Sequence, residues 1–337
     1  MWVDNKNILI TGGTGTIGKA LLEKLLMYNV KHVYIFSRDE QKQDTELHTL
    51  GQNPKVSFII GDIRNFDSIN SGLKNIDVVF HTAAMKIVRI CEQNPFEAFE
   101  TNVIGTENII KAAAVNGVEK VIFTSSDKAA NPTTAMGIGK LYAERLMTYA
   151  NFIKGCNTIY TTVRFGNVLG SRGCVLDLFR NQIENLDYVT VTHSDMTRFI
   201  CTIEQSVELM IKSGEVGKCG EIFIKKMPSI RIMDLAEVLI EYLAPVYGKD
   251  PKSISIRITE KQPSEKLYEE LITVHEAERT IEFNDYYCIL PTLQSERVNM
   301  NNIYNGKLVK REISSNASTH LTKTELLNFL LKNKLLF

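Results

Sequence analysis

The chain has 337 residues, 44% hydrophobic and 23% charged, enough to bury a sizeable core and far from the compositions of disordered or membrane proteins. Lys plus Arg and Asp plus Glu are equal at 39 each, so no net field draws the chain to nucleic acid or to an anionic membrane, and an anionic ligand has to be bound locally. Six cysteines (Cys91, Cys156, Cys174, Cys201, Cys219, Cys288) are scattered without a C-x-x-C pair, the pattern of reduced thiols with neither a disulfide framework nor a metal site.

Residues 1–7 lead directly into a strand-like run with no room for a signal peptide, and no apolar stretch approaches the roughly 20 residues that span a bilayer. A cytoplasmic protein is therefore expected. Residues 7–10 read as the first strand and run into Thr11-Gly12-Gly13-Thr14-Gly15-Thr16-Ile17-Gly18, after which apolar residues recur at helical spacing over 19–28. Glycines 13, 15 and 18 satisfy G-x-G-x-x-G, and 12, 15 and 18 the G-x-x-G-x-x-G variant. Between a strand and a helix, either pattern brings backbone N–H groups and a helix N-terminus onto a pyrophosphate. The second strand, 32–36, ends in Ser37-Arg38-Asp39, about twenty residues past the last glycine, where dinucleotide folds meet the adenosine ribose. A lone acid there would suit a free 2′-hydroxyl, whereas Ser37 and Arg38 suit a 2′-phosphate, so NADP is the expected cofactor. The third strand, 56–59, is followed by Gly61-Asp62-Ile63, placed to meet the adenine. The fourth, 78–80, is followed by His81-Thr82-Ala83-Ala84, small residues where backbone passes close to the cofactor, with His81 read as a satisfied core histidine.

A helical pattern over 98–116 precedes the fifth strand, 121–123, which ends in Thr124-Ser125-Ser126-Asp127-Lys128 at the edge where chemistry belongs. Helical spacing over 136–150 follows, with Lys140 twelve residues after Lys128, and then a sixth strand over 161–165. Strand and helix alternate in this way to give an α/β fold: a Rossmann-type doubly wound parallel sheet with a smaller interleaved C-terminal substrate lobe. The NADP-binding domain is expected over 1–170, with 198–227 folding back onto it through a helix over 202–213. The substrate lobe takes 171–197 and 228–290; after residue 170, further short strands are expected at 221–224 and 255–258, beside helices near 232–242 and 266–272. Residues 291–337 form an extension in which 308–318 is linker-like. Its terminal helix is announced by the capping-box spacing Thr322-Lys323-Thr324-Glu325. Asn316-Ala317-Ser318 matches a glycosylation sequon and reads as a polar loop in a cytosolic chain.

The blocks TGGTGTIG, SRDEQKQ, GDIR, HTAAMK, TNVIGT, SSDKAANP, MGIGKLYAE, VRFGNVLGSRG, MTRF and GEIFIKKMPSIRIMDLAE occur in this order over roughly 5–290. In them the chain resembles the nucleotide-sugar 4,6-dehydratases of extended short-chain dehydrogenase type that act on UDP-N-acetylglucosamine in surface-polysaccharide and nonulosonate synthesis. The resemblance implies a UDP-N-acetylhexosamine substrate, a homo-oligomer, and a tightly held NADP that is reduced and reoxidised within one turnover. It places Gly12, Thr14, Gly15, Thr16, Ile17, Ser37, Arg38, Asp62, Ile63, Ala83, Ala84, Lys86, Asn102, Ser125 and Lys140 on the cofactor. It places Lys86, Arg164, Asn167, Ser171, Arg172, Arg198 and Glu265 on the nucleotide-sugar.

In the implied reaction, oxidation at C4 acidifies the C5 proton, water is expelled across C5 and C6, and C6 is then reduced. Lys128 is the candidate base at C5, for which its pKa would have to lie below the ordinary value of about 10.4. Asp127 is the candidate acid for the C6 hydroxyl, in a partly desolvated place. Neighbours on a strand point to opposite faces, so the chain must turn at 127–128 for both to reach one sugar. Most relatives on this fold carry Tyr where this chain has Met136, four residues before Lys140, and some 4,6-dehydratases share the Met. The proton of the C4 hydroxyl is then left to Ser126, Lys128 or a water. The stretch 260–266 departs from the relatives' G-x-R-P-G-E-K, with Gln262 for the arginine and Ser264 for a glycine. Two other functions compete: a nucleotide-sugar C4 epimerase or ketoreductase, which has no use for Asp127-Lys128, and a catalytically silent NADP-binding protein suggested by Met136.

Overall fold

β1 (Asn7–Thr11), β2 (His32–Ser37), β3 (Val56–Ile60), β4 (Val78–His81), β5 (Lys120–Ser126) and β6 (Ile159–Phe165) are rich in β-branched and aromatic residues, as strands of a largely buried sheet are. The structure, a computed structural model, describes residues 1–50, 53–261, 264–293 and 306–336. Further strands follow as β7 (Asn167–Leu169), β8 (Tyr188–Val191), β9 (Thr197–Thr202), β10 (Ile222–Lys225), β11 (Ser229–Arg231) and β12 (Ser255–Ile258). The last are β13 (Glu270–Ile272), β14 (Thr280–Glu282), β15 (Tyr286–Ile289), β16 (Lys307–Leu308) and β17 (Ile313–Ser314).

The main sheet has the order β16-β14-β15-β10-β6-β5-β4-β1-β2-β3. Its pairings are parallel from β3 to β10 and antiparallel beyond, where β10, β15, β14 and β16 meet. Successive residues of β1 serve opposite faces. Ile8 and Ile10 pack with Leu21, Leu22 and Leu25 of the helix Thr16–Leu26 and with Val207 and Met210 of the helix Ile203–Val216. Leu9 packs on the other side with Ile69, Ile109, Ala143 and Met147 from the helices Phe66–Gly72, Gly105–Asn116 and Ala135–Ala150. Each such buried Leu or Ile is worth about 1.5–3 kcal/mol. The strand order reverses between β1 and β4, so the crevice beyond their carboxyl ends is the place where a doubly wound sheet binds its ligand.

A separate core joins β8, Ile200 of β9, and the helices Val175–Asn185, Ile232–Leu243 and Lys323–Lys332. Capping boxes begin three helices: Thr202 with Gln205, Thr273 with Glu276, and Thr322 with Glu325 at the place its spacing predicts.

Three expectations of local structure are corrected. The helical pattern over 98–116 is broken by a π-turn, Glu100–Ile104, between the helices Pro95–Phe99 and Gly105–Asn116. At that turn Asn102 faces the chain after β4, to which both ends of its amide bond. The expected helix over 266–272 is instead a turn leading into β13, because β17 offers a partner edge that periodicity cannot reveal. That same pairing, with β16 on β14, makes 308–318 part of the folded body where a linker is expected. Gln262 lies outside the described residues.

Candidate active site

A cleft of about 800 Å³ opens over the carboxyl ends of β1, β2, β4, β5 and β6. Its floor is the glycine turn. Gly12 has φ +68°, and a Cβ there would lie 2.8 Å from the backbone N and Cα of Ala83. A Cβ on Gly18 would meet the Cα of Gly13 at 2.5 Å. The helix Thr16–Leu26 starts at Gly15 with no side chain capping it, which leaves its first N–H groups turned to the cleft. Thr14, Gly15, Thr16, Ile17, Ser37, Arg38, Ile63, Ala83, Ala84, Lys86, Ser125, Met136 and Lys140 all line the cleft. Ser37 Oγ accepts from Gln43 Nε2 at 2.9 Å, while Arg38 is exposed and stands beside Lys42 in the wall.

Two residues expected on the cofactor, Asp62 and Asn102, do not line the cleft. Asp62 turns its carboxylate to Arg64, which donates from Nε at 2.9 Å and Nη2 at 2.7 Å, and to Arg38 at 3.7 Å, so Gly61 and Ile63 form the wall of that loop. Asn102 is buried behind the wall, accepting from the Met85 N–H at 2.8 Å and donating to the Met85 carbonyl at 2.9 Å, and so shapes the wall without lining it. His81 is the satisfied core histidine its context suggests: fully buried, within 2.8 Å of Thr11 Oγ1 and 3.1 Å of Thr106 Oγ1, and pushed by burial down to about 3.

At the inner end β5 gives way to a 3₁₀ turn, Asp127–Ala129, which meets the demand that the chain bend at 127–128. Ser126 Oγ donates to Asp127 Oδ1 at 2.9 Å and accepts from the Lys128 N–H at 3.3 Å. Asp127 is fully buried and its Oδ2 has no partner. Lys128 Nζ lies 3.1 Å from Asp127 Oδ1 and 3.3 Å from Glu269 Oε1. Burial alone would lower Lys128, but the two carboxylates outweigh it and hold the amine above its ordinary range. The expectation of a depressed Lys128 is therefore corrected: the two carboxylates beside it favour its protonated form. Glu269, with a side chain only 4% exposed and no hydrogen bond at Oε2, moves upward, because burial and the Asp127 charge outweigh the attraction of Lys128, Arg198 and Lys266. Lys140 Nζ donates to the Thr124 carbonyl at 2.8 Å and sits 4.6 Å over the Phe123 ring; burial brings it down to about 8 against the pull of Glu144. Met136 is packed with Cys91 and Ala98, so no proton-transfer group occupies that place. Ser125 Oγ, Thr101 Oγ1 and Asn167 Oδ1, all in the lining, are buried oxygens without a partner.

Of the residues expected on the nucleotide-sugar, Lys86, Asn167 and Ser171 line the cleft. Lys86 Nζ reaches across it to the Arg172 carbonyl at 3.1 Å, and the Arg172 N–H donates to Thr16 Oγ1 at 3.3 Å, so the exposed Arg172 holds a strap over the mouth. Arg164 is corrected: fully buried in β6, it donates from Nε, Nη1 and Nη2 to both oxygens of Glu144, both of Glu276 and the Leu271 carbonyl, which takes all five of its N–H donors. Arg198 is corrected likewise; it holds the 265–267 loop by donating to the carbonyls of Thr197, Lys266 and Leu267, with Glu265 at 3.8 Å, and neither lines the cleft. Glu269 had no place in the sequence reading. Its signal is local: Glu269-Glu270 abuts the apolar pair Leu271-Ile272, and two acids entering a buried strand need a reason.

Residues 8–291 match the family described as polysaccharide biosynthesis protein. An uncharacterized membrane protein of Methanocaldococcus jannaschii is 48% identical over 307 residues, 91% of this chain and 92% of that one. In the present chain, among the described residues, no helix is long and apolar enough to cross a membrane. A UDP-glucose 4-epimerase of Rickettsia bellii is 41% identical over 294 residues, 86% of this chain and 84% of that one. Among solved structures, Pen from Bacillus thuringiensis has a TM-score of 0.93 at 44% identity, with both chains covered completely.

Proposed function

Because the chain belongs to the polysaccharide biosynthesis protein family, we propose that it is a nicotinamide-dependent nucleotide-sugar enzyme whose reaction is the 4,6-dehydration of UDP-N-acetylglucosamine. A dinucleotide suits the residues present. Gly12 forms a cradle that a Cβ would fill, an uncapped helix N-terminus faces the cleft, and three buried oxygens stand without partners. Arg38 and Lys42 in the wall beside Ser37 favour a 2′-phosphate, hence NADP. When bound, the cofactor supplies the redox chemistry: an acceptor for oxidation at C4 and a donor for reduction at C6.

The chain's own residues do the rest. Lys140, four residues past Met136 on one helix face, is a cation anchored by Thr124 for the ribose end of the cofactor. Lys128 faces the cleft and moves the C5 proton, which the 4-ketone has made acidic. Asp127, fixed by Ser126, protonates the departing C6 hydroxyl. Lys86, Asn167 and Ser171 border the side of the cleft open to the nucleotide. The implied homo-oligomer would bury the exposed stripe of Ile138, Tyr142 and Tyr149, which are 56%, 56% and 57% exposed on one helix.

One observation carries the dehydratase reading: Lys128 lines the inner end of the cleft, and the fully buried carboxylate of Asp127 lies directly behind it, 3.1 Å from its Nζ. An epimerase moves a hydride and one hydroxyl proton at C4 and has no task for this pair, yet a relative bears that name, so C4 epimerisation is the second reading. Incubation with UDP-N-acetylglucosamine and with UDP-glucose, followed by mass spectrometry and sugar NMR, separates the two. A product lighter by one water supports dehydration; a C4 epimer of unchanged mass supports the rival.

A further inference from the structure

Oxidising a C4 hydroxyl to a ketone releases one proton, and expelling the C6 hydroxyl as water consumes one. A protein group that carries this proton between the two events spares an exchange with solvent. Met136 cannot, and His81 is sealed in the core. At the inner end of the cleft, the ionisable side chains among the described lining residues are Lys128 and Lys140. Lys128 stands between two buried carboxylates, with its Nζ 3.1 Å from Asp127 Oδ1 and 3.3 Å from Glu269 Oε1. Each carboxylate has one oxygen bonded or paired and one, Asp127 Oδ2 and Glu269 Oε2, without a hydrogen-bond partner.

We propose that Glu269 is a positioning residue that acts through Lys128, storing one proton while Asp127 and Lys128 serve as acid and base on the same sugar. This rests on the dehydratase reading. The motive force is charge. With both carboxyls ionised, the cluster carries one net negative charge in a buried place, and uptake of one proton makes it neutral. Arg198 of β9 and Lys266 of the adjacent loop face it, Lys266 Nζ lying 4.0 Å from Glu269 Oε2 and 3.6 Å from Glu270 Oε2, and they moderate that charge. The backbone of Glu269 is held on both sides by Ser315, whose Oγ accepts its N–H at 3.0 Å and whose N–H donates to its carbonyl at 2.8 Å, so the C-terminal extension sets its position.

The protons balance. Lys128 passes an N–H proton to Glu269, and its freed lone pair takes the C4 hydroxyl proton as the ketone forms. Lys128 then passes a proton to Asp127 and becomes a neutral amine again. It removes the C5 proton while the C5–H electron pair forms the C5–C6 double bond, the C6–O bond breaks, and the Asp127 proton leaves with the oxygen as water. Lys128 returns its proton to C5 as C6 is reduced, and Glu269 gives its stored proton back to Lys128. Each group ends as it began.

The test uses the full-length protein with Glu269→Gln and Glu269→Asp, after confirming wild-type-like circular dichroism and cofactor content. Trace labelling of Lys128 with acetic anhydride across pH, read by peptide mass spectrometry, requires no substrate. Loss of the Glu269 charge should move the Lys128 titration down by about one pH unit or more. With UDP-N-acetylglucosamine, Glu269→Gln should lower kcat by about 10²-fold with KM near wild type and shift the kcat–pH profile, while Glu269→Asp restores part of the rate. An unmoved Lys128 titration, or an unmoved pH profile in an active Glu269→Gln enzyme, overturns the proposal. A wild type inactive on this substrate with a shifted Lys128 titration would instead sink the dehydratase reading and leave the Glu269–Lys128 couple standing.

Discussion

Arg164→Met is a sharp test of how β6 is held, because it removes a charge while keeping most of the side-chain volume. Arg164 is fully buried, and its five N–H donors are shared among Glu144, Glu276 and the Leu271 carbonyl. The variant strands two buried carboxylates, for which breaking a buried pair costs about 3–5 kcal/mol. An independent figure agrees. Burial would raise Glu276, but Arg164, with smaller contributions from the Thr273 loop and Arg279, brings its carboxyl from the ordinary 4.5 to about 2, a factor of about 300 in proton affinity or about 3 kcal/mol in all. A depressed carboxyl stabilises fully above its unfolded value near 4.5, and that contribution is lost as pH falls toward 2. In Arg164→Met the stranded carboxyls are raised instead, so the deficit is greatest at pH 7 and shrinks on acidification toward about pH 4. Urea denaturation followed by the fluorescence of Trp2, whose indole donates to the Ile211 carbonyl in the nucleotide-side core, reads both effects. A loss under about 1 kcal/mol at pH 7, or a loss that does not depend on pH, would refute the brace. A large fall in UDP affinity with stability intact would return Arg164 to the substrate site.

Further variants probe the cleft itself. Lys128→Ala should abolish dehydration while leaving cofactor bound, measured by product analysis and by the absorbance of the purified protein; full activity removes Lys128 as the group at C5. Gly12→Ala puts a Cβ 2.8 Å from the Ala83 backbone at a φ of +68°, and should abolish cofactor binding in isothermal titration and cost about 1–2 kcal/mol of stability. Arg38→Ala should reduce the preference for NADP over NAD by about 10-fold or more, as loss of a charge-assisted phosphate bond does; an unchanged ratio of dissociation constants would assign the 2′-phosphate elsewhere.

Local signals in the chain were most legible where one residue type has one physical use. Gly12 and Gly18 announced a turn with no room for a Cβ, and the strands around it were apolar runs of the right length. Asp127-Lys128 stood out as charge at the edge of a buried strand, and it lies there. Arg164 and Arg198 misled because an arginine reads the same whether it meets a ligand phosphate, a buried Glu276 or a backbone carbonyl, and the partner is 112 residues away for Arg164. Glu269 was hidden for a related reason. Its segment was read as helix from local spacing, whereas pairing of β13 with β17, far along the chain, makes it a strand entrance and turns the carboxylate toward Lys128. Long-range partners decided Arg164 and Glu269, whereas Asp62 was taken by Arg64 only two residues along.

The central claim is that Asp127 and Lys128 eliminate water across C5 and C6 of a UDP-linked hexosamine. Incubating the purified protein, with cofactor verified as bound, with UDP-N-acetylglucosamine in deuterated water tests it most directly. The account predicts a product that has lost one water and carries deuterium at C5. Unchanged substrate, or a C4 epimer with no deuterium at C5, would contradict it.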